Sequence, residues 1–118
     1  MNIDILKSAD IDYESGSERF SGLDAVYQKF LRMFPEDPSY GNTVEAIKNG
    51  NLDDAFTYAH TLKGTAGNLS LSELYRTTSI LVEDLRIKKT DNLTELLENV
   101  TKSYEKTVKA IKEASSNG

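Results

Sequence analysis

Apolar residues recur at three- and four-residue spacing from one end of this chain to the other, and that period restricts what it can fold into. Leu23, Val26, Tyr27, Phe30, Leu31 and Phe34 form one stripe. Leu52, Ala55, Phe56, Ala59, Leu62, Ala66 and Leu69 form a second. Leu71, Leu74, Tyr75, Thr78, Leu81, Val82 and Leu85 form a third, and Leu93, Leu96, Leu97, Val100, Tyr104, Val108 and Ile111 a fourth. Each stripe places its side chains on one face of a helix, and that face must be covered. Four stripes within 118 residues imply a single domain. The expected fold class is all-α: an up-and-down antiparallel four-helix bundle with short extra helices at its N-terminal end. No segment sustains a two-residue alternation, so no sheet is expected.

The helix boundaries have their own signals. Ser70-Leu71-Ser72-Glu73 reads as a capping box, and Ser21 with Asp24, Asn42 with Glu45 and Asn51 with Asp54 repeat the pattern. Asn49-Gly50 is expected to end a short helix running from about Asn42 through Val44 and Ile47. Pro35 and Pro38 break the chain after the first stripe. Arg86, Lys88 and Lys89 put positive charge at a helix C-terminus. A short helix is expected near Asp12 to Phe20, weakened by Gly16, and the closing Ala-Ser-Ser-Asn-Gly reads as a frayed end.

Composition removes several function classes. A net charge of −5 argues against sequence-independent nucleic-acid binding, which needs a basic surface. With no cysteine there are no disulfides or thiolate zinc sites, and one histidine cannot make a histidine-rich metal centre. The longest aliphatic run, Ile80-Leu81-Val82, is far short of a membrane span, and "MNIDILKSAD" lacks the pattern of a signal peptide. A cytoplasmic protein without membrane insertion is the expectation. No apolar stripe is left over, which favours a monomer.

The single histidine lies in "YAHTLKGTAGNLS", Tyr58 to Ser70. The apolar stripe there centres on Ala59 and Ala66, so His60 points roughly a third of a turn away from the core. Gly64 and Gly67 follow at one and two turns, both within about 40° of His60 on the helical wheel, and Lys63 flanks the same face. Each glycine inside a helix costs about 1 kcal/mol relative to alanine. Two of them beside one imidazole leave bare backbone over which something large can approach. An imidazole in water is a neutral nucleophile near pH 7, and Lys63 adds a cation within reach of whatever it carries. Nucleophile, open access and nearby charge together point to phosphoryl transfer, in which positioning and charge compensation do most of the work. The blander readings are a surface histidine with no chemistry, glycines that serve helix packing, and Gly67-Asn68 as a helix C-cap. The first leaves both co-facial glycines unexplained, the wheel turns them away from the core, and a cap cannot account for Gly64.

The segment resembles the signature of histidine-containing phosphotransfer (HPt) domains: an alanine, a histidine, any residue, then Leu-Lys-Gly, with a further glycine three positions on. Ala59, His60, Leu62, Lys63, Gly64 and Gly67 match it in order. "IDYESGSERFSGLDAVYQKFLRMF" is similar to the family's N-terminal short helix and first long helix, and "IKNGNLDDAFTYAH" to the segment leading into the phospho-accepting helix. The likeness covers residues from about 11 to about 112 of a domain taken as 1–118.

The resemblance implies that His60 accepts a phosphoryl group from an aspartate of a response-regulator receiver domain and passes it to another. Lys63 would balance the phosphate charge, while Gly64, Gly67, Phe56 and Thr57 would form the surface the receiver approaches. The receiver would bring its own Mg²⁺, so this chain would need no cofactor. It would be a carrier and not a kinase, whether free-standing or part of a hybrid sensor kinase, and the sequence holds no glycine-rich nucleotide loop. The alternatives are a helical module that docks receivers without carrying phosphate, and a scaffold that binds a partner helix.

Overall fold

The structure, a computed structural model, describes residues 1–116. Among them are seven α-helices: α1 (Ile3–Ser8), α2 (Tyr13–Arg19), α3 (Asp24–Met33), α4 (Ser39–Lys48), α5 (Leu52–Asn68), α6 (Ser72–Arg86) and α7 (Leu93–Ser116). A 3-10 turn, Phe34–Glu36, joins α3 to α4. No strand occurs among the described residues, and the one sheet-like feature is an isolated bridge between Ile11 and Leu71. The fold is therefore all-α.

The core is built from the faces that the apolar period marks. On α5, Ala55, Ala59, Leu62 and Ala66 are fully buried. Leu74, Thr78, Leu81, Val82 and Leu85 of α6 and Val100, Ile111 and Ala114 of α7 meet them or their neighbours in the same core. α5 lies along both α4 and α6, α6 packs on α7, and α1 lies against α7. At about 1.5 Å per residue, the 24 residues of α7 span roughly 36 Å, close to the molecule's long dimension of 41 Å. Ala114, inside the expected frayed end, is buried in helix; Asn117 and Gly118 lie outside the described residues.

The first stripe is only half core. Tyr27, Leu31 and Phe34 are buried, whereas Leu23, Val26 and Phe30 are exposed. The cause is α4, which starts three residues earlier than Asn42, runs for ten residues, and lies along α5 where α3 does not. Asn42 is an ordinary helical residue whose amide donates to the Pro38 carbonyl. Asp37 takes over at the start of α4, accepting from the Ser39 amide at 2.8 Å.

The caps divide into two kinds. Asn51 caps α5 as expected, its Oδ1 accepting from the Asp54 amide, and Asp12 caps α2 by accepting from Ser15. The capping box at Ser70–Glu73 does not form. Ser70 takes φ 55° and closes α5 instead: its amide donates to Gly67 O and the Leu71 amide to Ala66 O, which is a Schellman motif. The Ser70 hydroxyl turns to Ser15, and Glu73 pairs with Arg76 at 2.7 Å. Ser21 likewise sits at φ 58° as the closing residue of α2, so it does not cap α3. Asp10 and Lys88 close α1 and α6 the same way, and Gly50 closes α4. The left-handed position is glycine in only one of these five ends.

Gly16 has a role that helix propensity hides. A side-chain carbon there would lie 2.1 Å from the ring of Tyr27, so α2 can cross that ring only through a glycine. The ring is fully buried, and its hydroxyl donates to Leu69 O at 2.7 Å, tying α3 to the end of α5. Desolvation, with smaller contributions from Tyr13 and Asp12, pushes the Tyr27 phenol well above its ordinary range, so it remains a donor throughout the neutral range. Gly16→Ala is thus expected to lower stability by about 1–3 kcal/mol through overpacking, although alanine is the better helix former. In the other direction, the buried Thr78 Oγ1 has no partner among the described residues, so Thr78→Val should stabilise by about 1 kcal/mol. Urea melts of both variants check the two signs.

Candidate functional site

The site follows from the register of α5. Because Ala59 is fully buried, the next residue turns about 100° outward, and His60 is exposed. Gly64 stands one turn on, also exposed; a side-chain carbon there would meet nothing within 4 Å. Thr57, one turn before Thr61, is exposed, and its hydroxyl donates back to Asp53 O at 3.2 Å, so it offers a methyl and an engaged hydroxyl beside the face. Phe56 is half-buried against the core, with its ring centroid 5.8 Å from that of His60. The guanidinium of Arg86, at the end of α6, lies 5.0 Å from the Phe56 ring centroid and places a cation over that ring.

Gly67 differs from Gly64. Its added carbon would stand 3.2 Å from the ring of Tyr75, tighter than ordinary contact. The apolar period puts Tyr75 in the stripe of α6, yet it is 43% exposed and lies over the bare backbone at Gly67. The ammonium of Lys63 stands 5.8 Å from the same ring centroid, within cation–π range, which holds the lysine on the histidine's side of α5. Nor are Gly67 and Asn68 the C-cap: α5 continues through both, and Leu69 and Ser70 end it.

A groove of about 500 Å³ opens on this side, lined by His60, Lys63, Gly64 and Gly67 from α5, Tyr75 from α6, and Arg19 from the last turn of α2. On the other side of the face, Phe30 and Met33 of α3 are 41% and 52% exposed and line a second, more apolar groove that reaches Thr65, Asn68 and Leu69 of α5. Asn68 borders both grooves. His60 therefore lines the groove that holds the two cations, and the more apolar groove, which His60 does not line, adjoins it at Asn68.

The motif residues His60, Lys63, Gly64 and Gly67 are brought together around one groove; Phe56 touches the His60 ring but does not line that groove, and neither does Thr57. Sequence reasoning missed Tyr75, Arg19, Phe30 and Met33 as parts of this surface. Each comes from another helix, and the signal available for Tyr75 and Phe30, the apolar period, pointed inward. The geometry can expose a nucleophilic nitrogen to a large partner, offer it positive charge, and leave the approach unobstructed.

In comparison with known families, the model of the Hpt domain family matches residues 25–114. No curated protein and no solved structure matches the chain. No helix among the described residues is long and apolar enough to cross a membrane.

The two glycines are expected to respond differently to the same substitution. Gly64→Ala should raise stability by up to about 1 kcal/mol, since alanine improves the helix and meets no neighbour. Gly67→Ala must displace the Tyr75 ring, so its melting temperature should fall below that of Gly64→Ala. Thermal melts of the two single variants decide this.

Proposed function

The chain belongs to the Hpt domain family, which serves phosphotransfer in two-component systems, and from that premise we propose that His60 is its phosphoryl-carrying residue. The observation that carries the reading is the exposed imidazole beside an unobstructed backbone at Gly64. In the forward step the ring nitrogen without hydrogen attacks phosphorus of a receiver's phospho-aspartate. The N–P bond forms as the bond from phosphorus to the carboxylate oxygen breaks, and the aspartate leaves as a carboxylate. Transfer to the next receiver runs the same exchange in reverse. Lys63 supplies positive charge where the phosphoryl oxygens lie, and Gly64, with Phe56 and Thr57, forms the approach surface, while Gly67 seats the Tyr75 ring at its edge.

The exposed Phe30 and Met33 extend that surface with apolar area suited to a protein partner. Mg²⁺ belongs to the receiver in this reading, and the chain requires no cofactor and has no kinase activity of its own. The whole of 1–118 acts as one cytoplasmic, monomeric domain whose partner is a receiver and neither nucleic acid nor membrane. Its main helices are taken as an up-and-down antiparallel bundle, supported by the short connections between α4, α5, α6 and α7 and by the packing of each on the next.

Two variants test this. His60→Gln should abolish acid-labile labelling from a phosphorylated receiver while circular dichroism stays unchanged; a variant that still labels overturns the assignment. Lys63→Ala should slow transfer about tenfold, or about 1.4 kcal/mol in the barrier, with stability changed by no more than about 0.5 kcal/mol. Transfer at the parental rate would reduce Lys63 to a solvated side chain.

A further inference from the structure

The groove beside His60 has a charge that the rest of the chain does not lead one to expect. The protein carries a net charge of −5, yet no aspartate or glutamate lines this groove, and two cations, Lys63 and Arg19, do. Lys63 belongs to the histidine's own helix, on the Tyr75 ring. Arg19 comes from α2, is exposed, and forms no ion pair among the described residues. Most other arginines and several lysines of the chain are engaged: Arg76 with Glu73, Arg86 with Glu83, Lys88 with Asp53, Lys106 with Asp10. Arg19 also lies outside residues 25–114, so the family match itself gives it no role.

Its position is nonetheless anchored. The Asp12 amide donates to Ser70 O at 2.9 Å and the Ser72 amide to Asp10 O at 3.1 Å, which fastens the segment ahead of α2 to the turn after α5. Ser70 Oγ further donates to Ser15 Oγ within α2. The helix that carries Arg19 is therefore fixed to the end of the helix that carries His60. A guanidinium held at the rim of an acid-free groove presents a planar fork of donors suited to carboxylates.

We propose that this groove is the docking site for an acidic segment of the phosphodonor, and that Arg19 is its binding residue, distinct in role from Lys63 at the transferring group. The inference rests on the receiver reading above. Arg19 acts on encounter and docking, so its loss changes the concentration at which transfer half-saturates and the salt dependence, whereas loss of Lys63 changes the saturated rate.

The test measures single-turnover transfer from phosphorylated receiver domains to wild type, Arg19→Gln and Arg19→Lys at low and high salt, with phosphoramidate as a small donor. With phosphoramidate the donor's P–N bond breaks, ammonia leaves, and the same N–P bond forms on His60 without any docking partner. Arg19→Gln should raise the half-saturating receiver concentration about three- to tenfold at low salt and leave the saturated rate within about twofold. Its deficit should shrink at high salt, Arg19→Lys should recover part of it, and phosphoramidate labelling should match wild type. If no receiver labels wild type, the receiver reading and this inference fall together. If wild type is labelled and Arg19→Gln behaves identically at both salts, the inference alone is overturned. A variant that also loses saturated rate and phosphoramidate labelling would place Arg19 at the reacting group, and the docking role would be wrong.

Discussion

The rest of the structure depends on the packing of α5 through Ala55, Ala59 and Ala66, which are all fully buried. Small side chains on that face let α4 and α6 close on the helix, and Leu62 between them is buried with the others; burying such a leucine contributes about 1.5–3 kcal/mol. Once Ala59 faces inward, helical geometry leaves no freedom about where its neighbour goes. His60 faces solvent because the core holds the residue before it, and a one-residue change of register would bury the imidazole. The apolar contacts that stabilise the bundle thus also set the direction of its one histidine.

A second constraint operates where helices end. Asp10, Ser21, Ser70 and Lys88 hold left-handed conformations that cost a non-glycine residue on the order of 1–3 kcal/mol each. Two of these ends face each other, since the backbone around Asp10 and Ser70 exchanges the hydrogen bonds of the Ile11–Leu71 bridge. Tyr27 adds a buried hydroxyl bond to Leu69 O beside the same turn. The strained turn after α5 is thereby held from both α2 and α3, and the groove beside His60 inherits its walls from that arrangement.

Much of this was legible in the chain. The helical period marks α5, α6 and α7, the Asn-Gly pair marks the end of α4, and the helical wheel puts His60, Lys63 and Gly64 on one face. Three features were not legible, each for a physical reason. The serine at position 70 suits an N-cap and tolerates a left-handed C-terminal position, and only the tertiary contact with Ser15 and Asp12 selects between them. Gly67 and Gly64 look alike on a wheel, yet one faces the Tyr75 ring and the other faces open space. Half of the α3 stripe stayed outside the core because α4 occupies the place along α5, which a period alone cannot reveal.

The central claim is that the backbone at Gly64 is bare so that a partner can reach His60, and not so that helices can pack. The most direct measurement pairs the melting temperature of Gly64→Gln with its rate of transfer from a phosphorylated receiver. The account predicts a variant that melts no more than a few degrees from wild type while its transfer rate falls by an order of magnitude or more. A variant that transfers at the parental rate, or one whose rate falls only in step with its stability, would contradict it.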